Sequence, residues 1–384
     1  MRVFTKNKIR AAVLLIILLL FLSACAVKQT ENLVLPKDNG NITASSLATK
    51  VMASADEVFY DQWDLYAAYF TPEEYKAFIG DIIGSYAGIG VYMYENSDTL
   101  RVTVLSVMKN TPAAKAGIMA GDEFIKVGST DVIGVGSDAL ADLVRGEAGT
   151  KVELTMYRKD KGNYTVTLTR EIIEVPTVEG LMLNDNMAYI AISRFTDYTA
   201  DDFLATWLEL SQNNKLEGLV LDLRQNPGGE MVAALDIADY FVPKDEAIMW
   251  VLSSEEETKY TSQGKLLNVP TTVLQDNGSA SASEILLGAI QDNKTGVTIG
   301  TCSYGKGIIQ TVRALKSGAG LRTTTAKYLT SARRNIHGTG LEPDILCELP
   351  EDVEPSVIYS MDPEKDPQLK KAMEVLAEMI AKNK

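Results

Sequence analysis

Histidine occurs once in 384 residues, as His337, and cysteine three times, as Cys25, Cys302 and Cys347. So few ligating side chains form no CxxC pair and no Cys/His cluster, so neither a metal site nor a disulfide framework is expected. Basic residues are also short, 37 Lys and Arg against 51 Asp and Glu, for a formal net charge of −14. A phosphate backbone needs a basic face, so nucleic acid is excluded as a partner. The apolar run from Ala11 to Leu22 is too short to span a membrane comfortably, and no repeat or low-complexity tract stands out. What is present is ordinary for globular protein: 46% hydrophobic and 23% charged residues, in a chain long enough for two or three domains.

The N-terminus reads as an address. Arg2, Lys6, Lys8 and Arg10 precede the apolar run, and Leu22-Ser23-Ala24-Cys25 closes it with small residues before a cysteine. This resembles a bacterial lipoprotein signal. The resemblance implies that residues 1–24 are removed, that Cys25 is lipidated, and that the chain is extracytoplasmic and anchored to a bacterial membrane. An uncleaved anchor or an ordinary signal is the alternative, and it too puts the rest of the chain outside the cytoplasm. Residues 25–46 are polar, with Pro36 and Gly40, and form a tether. Cys302 and Cys347 are then left either bonded to each other or as two free thiols.

Residues 47–85 have helical spacing, interrupted where Thr71 caps a new helix with Pro72 at its first position and Glu74 in the capping-box place. Residues 86–173 change character. Short strand-like runs (Leu100 to Val107, Glu123 to Val127, Lys151 to Arg158, Tyr164 to Thr169) alternate with helical patches at Ala113 to Ala116 and Ser137 to Val144. Gly88-Ile89-Gly90-Val91, Thr111-Pro112-Ala113, Ala116-Gly117, Gly121-Asp122-Glu123-Phe124-Ile125 and Val144-Arg145-Gly146 give this β-rich module a resemblance to a PDZ domain. Residues 174–384 alternate strand and helix: strands at Met187 to Ile192, Leu216 to Leu223 and Thr271 to Leu274, and helices at Ala200 to Ser211, Met231 to Phe241 and Ser283 to Ile290. Gln368 to Ala381 closes the chain as an amphipathic helix. The fold class expected is mixed α/β, multi-domain, with helices packed on a sheet in the core.

Three segments carry candidate chemistry. Asn277-Gly278-Ser279-Ala280-Ser281-Ala282-Ser283 joins an apolar strand to a helix, which exposes Ser281 beside unpaired helix N–H groups. It lacks the glycine of a GxSxG elbow, and such a run is commonly just a capping loop. Tyr304-Gly305-Lys306-Gly307 offers a lysine base where histidine is scarce. Working near neutrality requires its ammonium to be destabilised by about 4 kcal/mol, which burial can supply. Gln310 shares the lysine's face in a helix, and in a strand it alternates outward with Lys306 and Ile308; its amide can orient the amine. Leu221-Asp222-Leu223-Arg224-Gln225-Asn226-Pro227-Gly228-Gly229 ends a buried strand in a turn whose amides can face an oxyanion. A Ser–His–Asp triad drawn from His337 with Asp222 or Asp344 is disfavoured by the competing lysine pattern. Cys302 as nucleophile has no neighbouring histidine.

GSASASE, YGKGIIQ, DLRQNPGG and HGTGLEPD, in a chain with a PDZ-like module, resemble the C-terminal processing peptidases, or tail-specific proteases, from about Asp61 onward. The resemblance implies Ser281 as nucleophile, Lys306 as base, Gln310 as the lysine-orienting residue, and an oxyanion hole from the Ala282 amide with that of Gly228 or Gly229. It also implies that the PDZ-like module takes a substrate C-terminus, its carboxylate at Gly88, Ile89 and Gly90. Partners are then proteins or peptides with free C-termini, with no cofactor; no feature sets the oligomeric state. Two classes of function compete: a membrane-tethered serine endopeptidase cleaving exported proteins at or near their C-termini, and a peptide-binding module on an inactive protease scaffold.

Overall fold

A computed structural model describes residues 64, 66–97, 99–212, 214–350, 353 and 363–383. The signal, Cys25 and the tether lie outside the described residues. Among those described, no helix is long and apolar enough to cross a membrane.

The described residues open with strand β1 (Ala68–Phe70) and helix α1 (Pro72–Ile83). The helix begins where the sequence indicates. Thr71 Oγ1 accepts from the Glu74 N–H at 3.2 Å and the Glu74 carboxylate accepts from the Thr71 N–H at 2.8 Å, closing the capping box.

The next module comprises β2 (Ser85–Gly88), β3 (Val91–Asn96), β4 (Arg101–Val107), α2 (Pro112–Lys115), β5 (Glu123–Val127), β6 (Thr130–Asp131), α3 (Ser137–Val144), β7 (Lys151–Arg158), β8 (Gly162–Thr169) and β9 (Glu171–Glu174). Its main sheet runs β3-β4-β5-β7-β8, so β3 is an edge strand. β2 and β9 pair separately at its neck. Val102, Val104, Phe124, Leu140, Leu154 and Met156 form a core of its own, each at most 1% exposed. A core distinct from the one that follows is what makes this stretch a module.

The remaining elements are β10 (Val178–Met182), β11 (Met187–Ile192), α4 (Thr199–Ser211), β12 (Gly218–Asp222), α5 (Met231–Ala238), β13 (Ala247–Ser253), β14 (Glu257–Thr261), β15 (Thr271–Gln275), α6 (Ala282–Asp292), β16 (Val297–Gly300), β17 (Ile308–Ala314), β18 (Gly320–Thr330), β19 (Ile345–Leu346) and α7 (Pro367–Lys382). The central sheet runs β10-β11-β12-β15-β16-β19, parallel except at β10. Its strands are apolar on both faces because helices cover both. On one side α4, α5 and α6 pack through Phe203, Ala234, Ile237 and Leu286; on the other, α7 packs through Leu369, Ala372 and Leu376. Phe203, Trp207 and Leu210 of α4 all meet the first of these cores, as their spacing requires. A second sheet is built around the long β18, which pairs with β17, β13 and β1. The first strand of the described chain is thus stitched to one near its end.

An ion network clamps α7 to the central sheet. Arg224, 1% exposed, meets Asp222 Oδ2 at 2.6 Å and Asp366 Oδ2 at 2.8 Å, and donates to Gln368 Oε1 at 3.0 Å. Asp366 also caps α7 through the Gln368 and Leu369 N–H groups. Replacing Arg224 alone strands two buried carboxylates, so Arg224→Met is expected to lose ~3–5 kcal/mol of unfolding free energy in urea denaturation. A loss within 0.5 kcal/mol, roughly that of a surface change, would contradict this reading of the clamp.

Candidate active site

Parallel strands that end side by side create a crevice at their carboxyl ends. Here β11 delivers Arg194 and Phe195 to that edge, β12 delivers the Gly228–Gly229 turn, β15 delivers Ser281, and β16 leads to the loop that holds Lys306. All of these residues line one cleft of about 660 Å³. Gln310 and Arg322, from β17 and β18, and Phe78, Ile79 and Ile82, from α1, wall it on the other side.

The turns after β12 and β15 are fastened to each other. The Asp276 carboxylate accepts from the Gln225 N–H at 2.8 Å and from the Gln225 amide at 2.7 Å, while Ala280 N–H donates to the Asn226 carbonyl at 3.0 Å. Three serines follow, and their surroundings differ. Ser279 donates to the Leu223 carbonyl at 2.8 Å and Ser283 to the Asn226 carbonyl at 2.9 Å, both fully buried. Ser281 is the serine of the three that lines the cleft. Its backbone sits at φ 55° and ψ −114°, a region that non-glycine residues avoid, at a cost of about 1–3 kcal/mol. That conformation turns its side chain outward at the start of α6, as a strained strand-to-helix turn does for a nucleophile.

The two glycines of the facing turn have different environments. Gly228 N–H donates to Asn226 Oδ1 at 2.9 Å and is thereby committed inside the turn. A Cβ on Gly228 would stand 2.8 Å from both the Ala282 nitrogen and Ser281 Cβ, so the turn lies directly against the serine. Gly229 has φ 141° and bridges Phe195; a Cβ there would stand 1.9 Å from the Phe195 carbonyl oxygen.

Lys306 is half-buried. Burial pushes its ammonium below the ordinary lysine range, the Arg322 guanidinium adds to this, and the Glu284 carboxylate opposes it. Gln310 lies in a strand, not a helix, with a bulge in the β17–β18 register between Ile309 and Gln310. Its Nε2 donates to the Tyr66 carbonyl at 2.8 Å, which fixes which end of the amide faces away from Tyr66. Arg322 Nε donates to the same carbonyl at 3.3 Å, and its guanidinium lies 5.7 Å from the Phe70 and Phe78 rings.

A scan against family models matches the description "Peptidase family S41" over residues 186–347 and "PDZ domain" over residues 87–168. Among curated relatives, the carboxy-terminal-processing protease of Bartonella bacilliformis is 35% identical over 296 residues, covering 75% of this chain and 67% of that protein. The chain belongs to peptidase family S41. The carboxy-terminal processing protease CtpA of Bacillus subtilis is 34% identical over 290 residues, which is 75% of this S41 chain and 62% of its relative. A similar 62% holds for a CtpA-like serine protease of Staphylococcus haemolyticus, so the chain spans less than two thirds of the length of these two relatives. The fold agrees with the solved structure of an S41-type protease from Bacteroides fragilis, at 15% identity and a TM-score of 0.50 over 89% of this chain and 92% of that one.

The residues set aside from the sequence fall elsewhere in this S41 fold. His337 does not line the cleft. Its ring meets Tyr66 edge-on at 5.8 Å, and its backbone backs onto Gly307. Asp222 is held by Arg224 and by Tyr189 Oη at 2.8 Å, and Asp344 accepts from Thr298, so neither is placed to orient an imidazole. Cys302 and Cys347 are both free. Burial pushes the Cys302 thiol up, with Glu342 adding to it, the opposite of an activated nucleophile.

Several functional neighbours were not legible beforehand. Glu284 is 0% exposed and binds both the Ser281 and the Lys306 segments; Tyr328 Oη donates to the Ser281 carbonyl at 3.1 Å; Asn226 organises the glycine turn. The capping-box spacing from Ser281 to Glu284 was visible, but the pattern points only at a helix start.

In the PDZ domain a groove runs between the edge strand β3 and α3, lined by Ile89, Val91, Met93, Ala141 and Val144. Arg145 stands at its end, its guanidinium 5.2 Å from the Tyr86 ring. Gly88 closes β2, paired with Glu171. Ile89 is buried, and the Ile89 and Gly90 carbonyls accept from Ala113 and Met108 N–H groups at 2.9 and 3.1 Å.

Proposed function

We propose that this chain is a membrane-tethered serine endopeptidase that cleaves exported proteins at or near their C-termini by serine–lysine catalysis. The observation that carries the reading is one cleft lined by Ser281, a lysine with a lowered proton affinity, and a glycine turn pressed against the serine. Neutral Lys306 takes the Ser281 Oγ proton as that oxygen attacks the scissile carbonyl carbon. The carbonyl π electrons move onto oxygen, and the oxyanion is received by the Ala282 and Gly229 N–H groups, Gly228 being committed to Asn226. The Lys306 ammonium then protonates the departing amine. Water, deprotonated by the Lys306 amine now neutral again, attacks the acyl carbon. The lysine returns that proton to Ser281 Oγ as the ester C–O bond breaks and the new C-terminus leaves. Gln310, its amide nitrogen committed to Tyr66, offers its oxygen to the lysine N–H and aims it.

Substrate choice follows from the walls. Phe78, Ile79, Ile82, Val232, Ile285 and Ile309 favour an apolar side chain next to the scissile bond. The free edge of β3 suits an added peptide strand whose terminal carboxylate meets the Gly88–Gly90 loop, with Arg145 close by. The anchor reading rests on the basic and apolar leader ahead of Cys25. Cys25→Ala should move the protein from the membrane to the soluble fraction; unchanged fractionation counts against lipidation.

The test of function is hydrolysis of casein and of an apolar-tailed peptide by the protein and its Ser281→Ala variant. Hydrolysis is expected to vanish in the variant. In the wild type it should rise from neutral to alkaline pH, because lowering the lysine's proton affinity brings the neutral base into that range. Equal rates in the two proteins would sink the serine assignment. No hydrolysis by either would favour the peptide-binding module.

A further inference from the structure

One buried carboxylate joins the two reacting segments. Glu284, in the first turn of α6, is 0% exposed, and both of its oxygens are doubly engaged. Oε2 accepts from the Ser281 N–H at 2.9 Å and from the Lys306 N–H at 2.8 Å. Oε1 accepts from the Gly305 N–H at 2.7 Å and from the Ser303 hydroxyl at 2.6 Å, and Ser303 Oγ in turn accepts from the Leu341 N–H at 2.7 Å. A helix cap needs only the first of these contacts. The other three reach about 20 residues along the chain, to the loop that presents the lysine.

We propose that Glu284 is a positioning residue for the reaction, a four-coordinate carboxylate that fixes the Ser281 backbone against the Lys306 backbone and so sets the reach from hydroxyl to amine. The proposal rests on the serine–lysine reading above. Glu284 does not line the cleft, so its carboxylate is not placed to touch a substrate. The geometry of the carboxylate is what the role demands. Four donors converge on two oxygens, an arrangement a carboxylate satisfies completely. Glutamine has one oxygen, and in either orientation its NH₂ would face at least one N–H donor, Gly305 in one and Ser281 with Lys306 in the other. The lysine loop would then have to shift, and displacements of about 1 Å in a reacting pair cost about 10²-fold in rate.

The role also has an electrostatic signature. The charged groups that act on Lys306 are Arg322 from β18, which favours its neutral form, and Glu284 from α6, which favours its protonated form. Arg194 and Glu230 line the same cleft, and Tyr328 of β18 adjoins the serine. Removing the Glu284 charge therefore eases the loss of the lysine's proton and moves the acid limb of the rate profile to lower pH.

The experiment compares wild type, Glu284→Gln and Ser281→Ala on an apolar-tailed fluorogenic peptide across pH, with thermal unfolding in parallel. For Glu284→Gln we expect kcat to fall about 10²-fold, KM to hold, and the acid limb to move down in pH. A folded variant with wild-type kcat and an unmoved limb overturns the proposal and leaves the serine–lysine reading intact. So does a loss that merely follows the folded fraction. A wild type no faster than Ser281→Ala overturns both. If Glu284→Gln does not fold, Ser303→Ala decides, since it keeps the charge and removes one donor. It should slow kcat several-fold with the limb in place, and a wild-type kcat would overturn the clamp.

Discussion

Lys306→Ala is expected to lower turnover by ~10³–10⁴-fold while the protein stays folded. Serine's hydroxyl cannot attack an amide at useful rates without a base. Within this cleft Lys306 is the group whose proton affinity is lowered, first by burial and then by Arg322. The truncation leaves the loop in place, because Glu284 holds it through the Lys306 backbone N–H and not through the side chain. Stability should hold or rise. A lysine whose folded-state proton affinity lies below its unfolded value costs stability wherever the unfolded chain is protonated, which includes neutral pH. That cost is full below the lowered folded-state value, shrinks as pH rises from there, and is gone above the unfolded value. Removing the side chain removes the cost. Calorimetry showing an equal or higher Tm beside the lost turnover fits this account; a collapsed fold would mean the loss reports structure. His337→Ala is the natural control and should retain most activity, since that ring lies against Tyr66 outside the cleft.

Gly229→Ala should lower kcat by ~10²–10³-fold. At φ 141° a side chain is strained before any contact is counted, and its Cβ would stand 1.9 Å from the Phe195 carbonyl oxygen. The Phe195 N–H bond to Gly228 at 3.0 Å and the Glu230 N–H bond to Phe195 at 2.9 Å must then give way. Those two bonds hold the turn beside Ser281, so the N–H proposed as an oxyanion donor moves. The PDZ groove is built from other residues, so KM for a tailed peptide should change little. A variant with wild-type kcat would remove Gly229 from the oxyanion site; one with raised KM and normal kcat would place it in substrate binding.

Local signals and long-range contacts were unequally legible in the sequence. Three of the parallel strands, β11, β12 and β15, were legible because burial on both faces makes them mostly apolar with no alternation, as in Leu219-Val220-Leu221 and Val273-Leu274; β16 and β19 were not assigned. The β17–β18 pair was not assigned. Its residues carry no clean alternation: Arg322, Thr323 and Thr324 are half-buried in succession and Thr325 is exposed. The opening at Thr71 was readable because a capping box is local. That α1 walls the cleft, and that the Tyr66 carbonyl holds Gln310, was not, because these are long-range contacts, the second joining residues 244 positions apart. Ser281 could be singled out by its place at a strand-to-helix turn, though its unusual φ and ψ could not. Glu284 was hidden by its own pattern. A glutamate three residues into a helix is fully explained by capping, and nothing local reveals that its second oxygen reaches the lysine loop.

The central claim is that the amine at position 306 is the base that activates Ser281. The most direct measurement is the pH profile of peptide hydrolysis by Lys306→Cys before and after aminoethylation of the new thiol, beside wild type treated with the same reagent. Alkylation rebuilds a lysine-like side chain whose amine is intrinsically less basic. The account predicts that activity is absent in the cysteine variant and returns on alkylation, with the acid limb at lower pH than in the treated wild type. Activity in the unmodified variant, or its return with an unmoved limb, would contradict it.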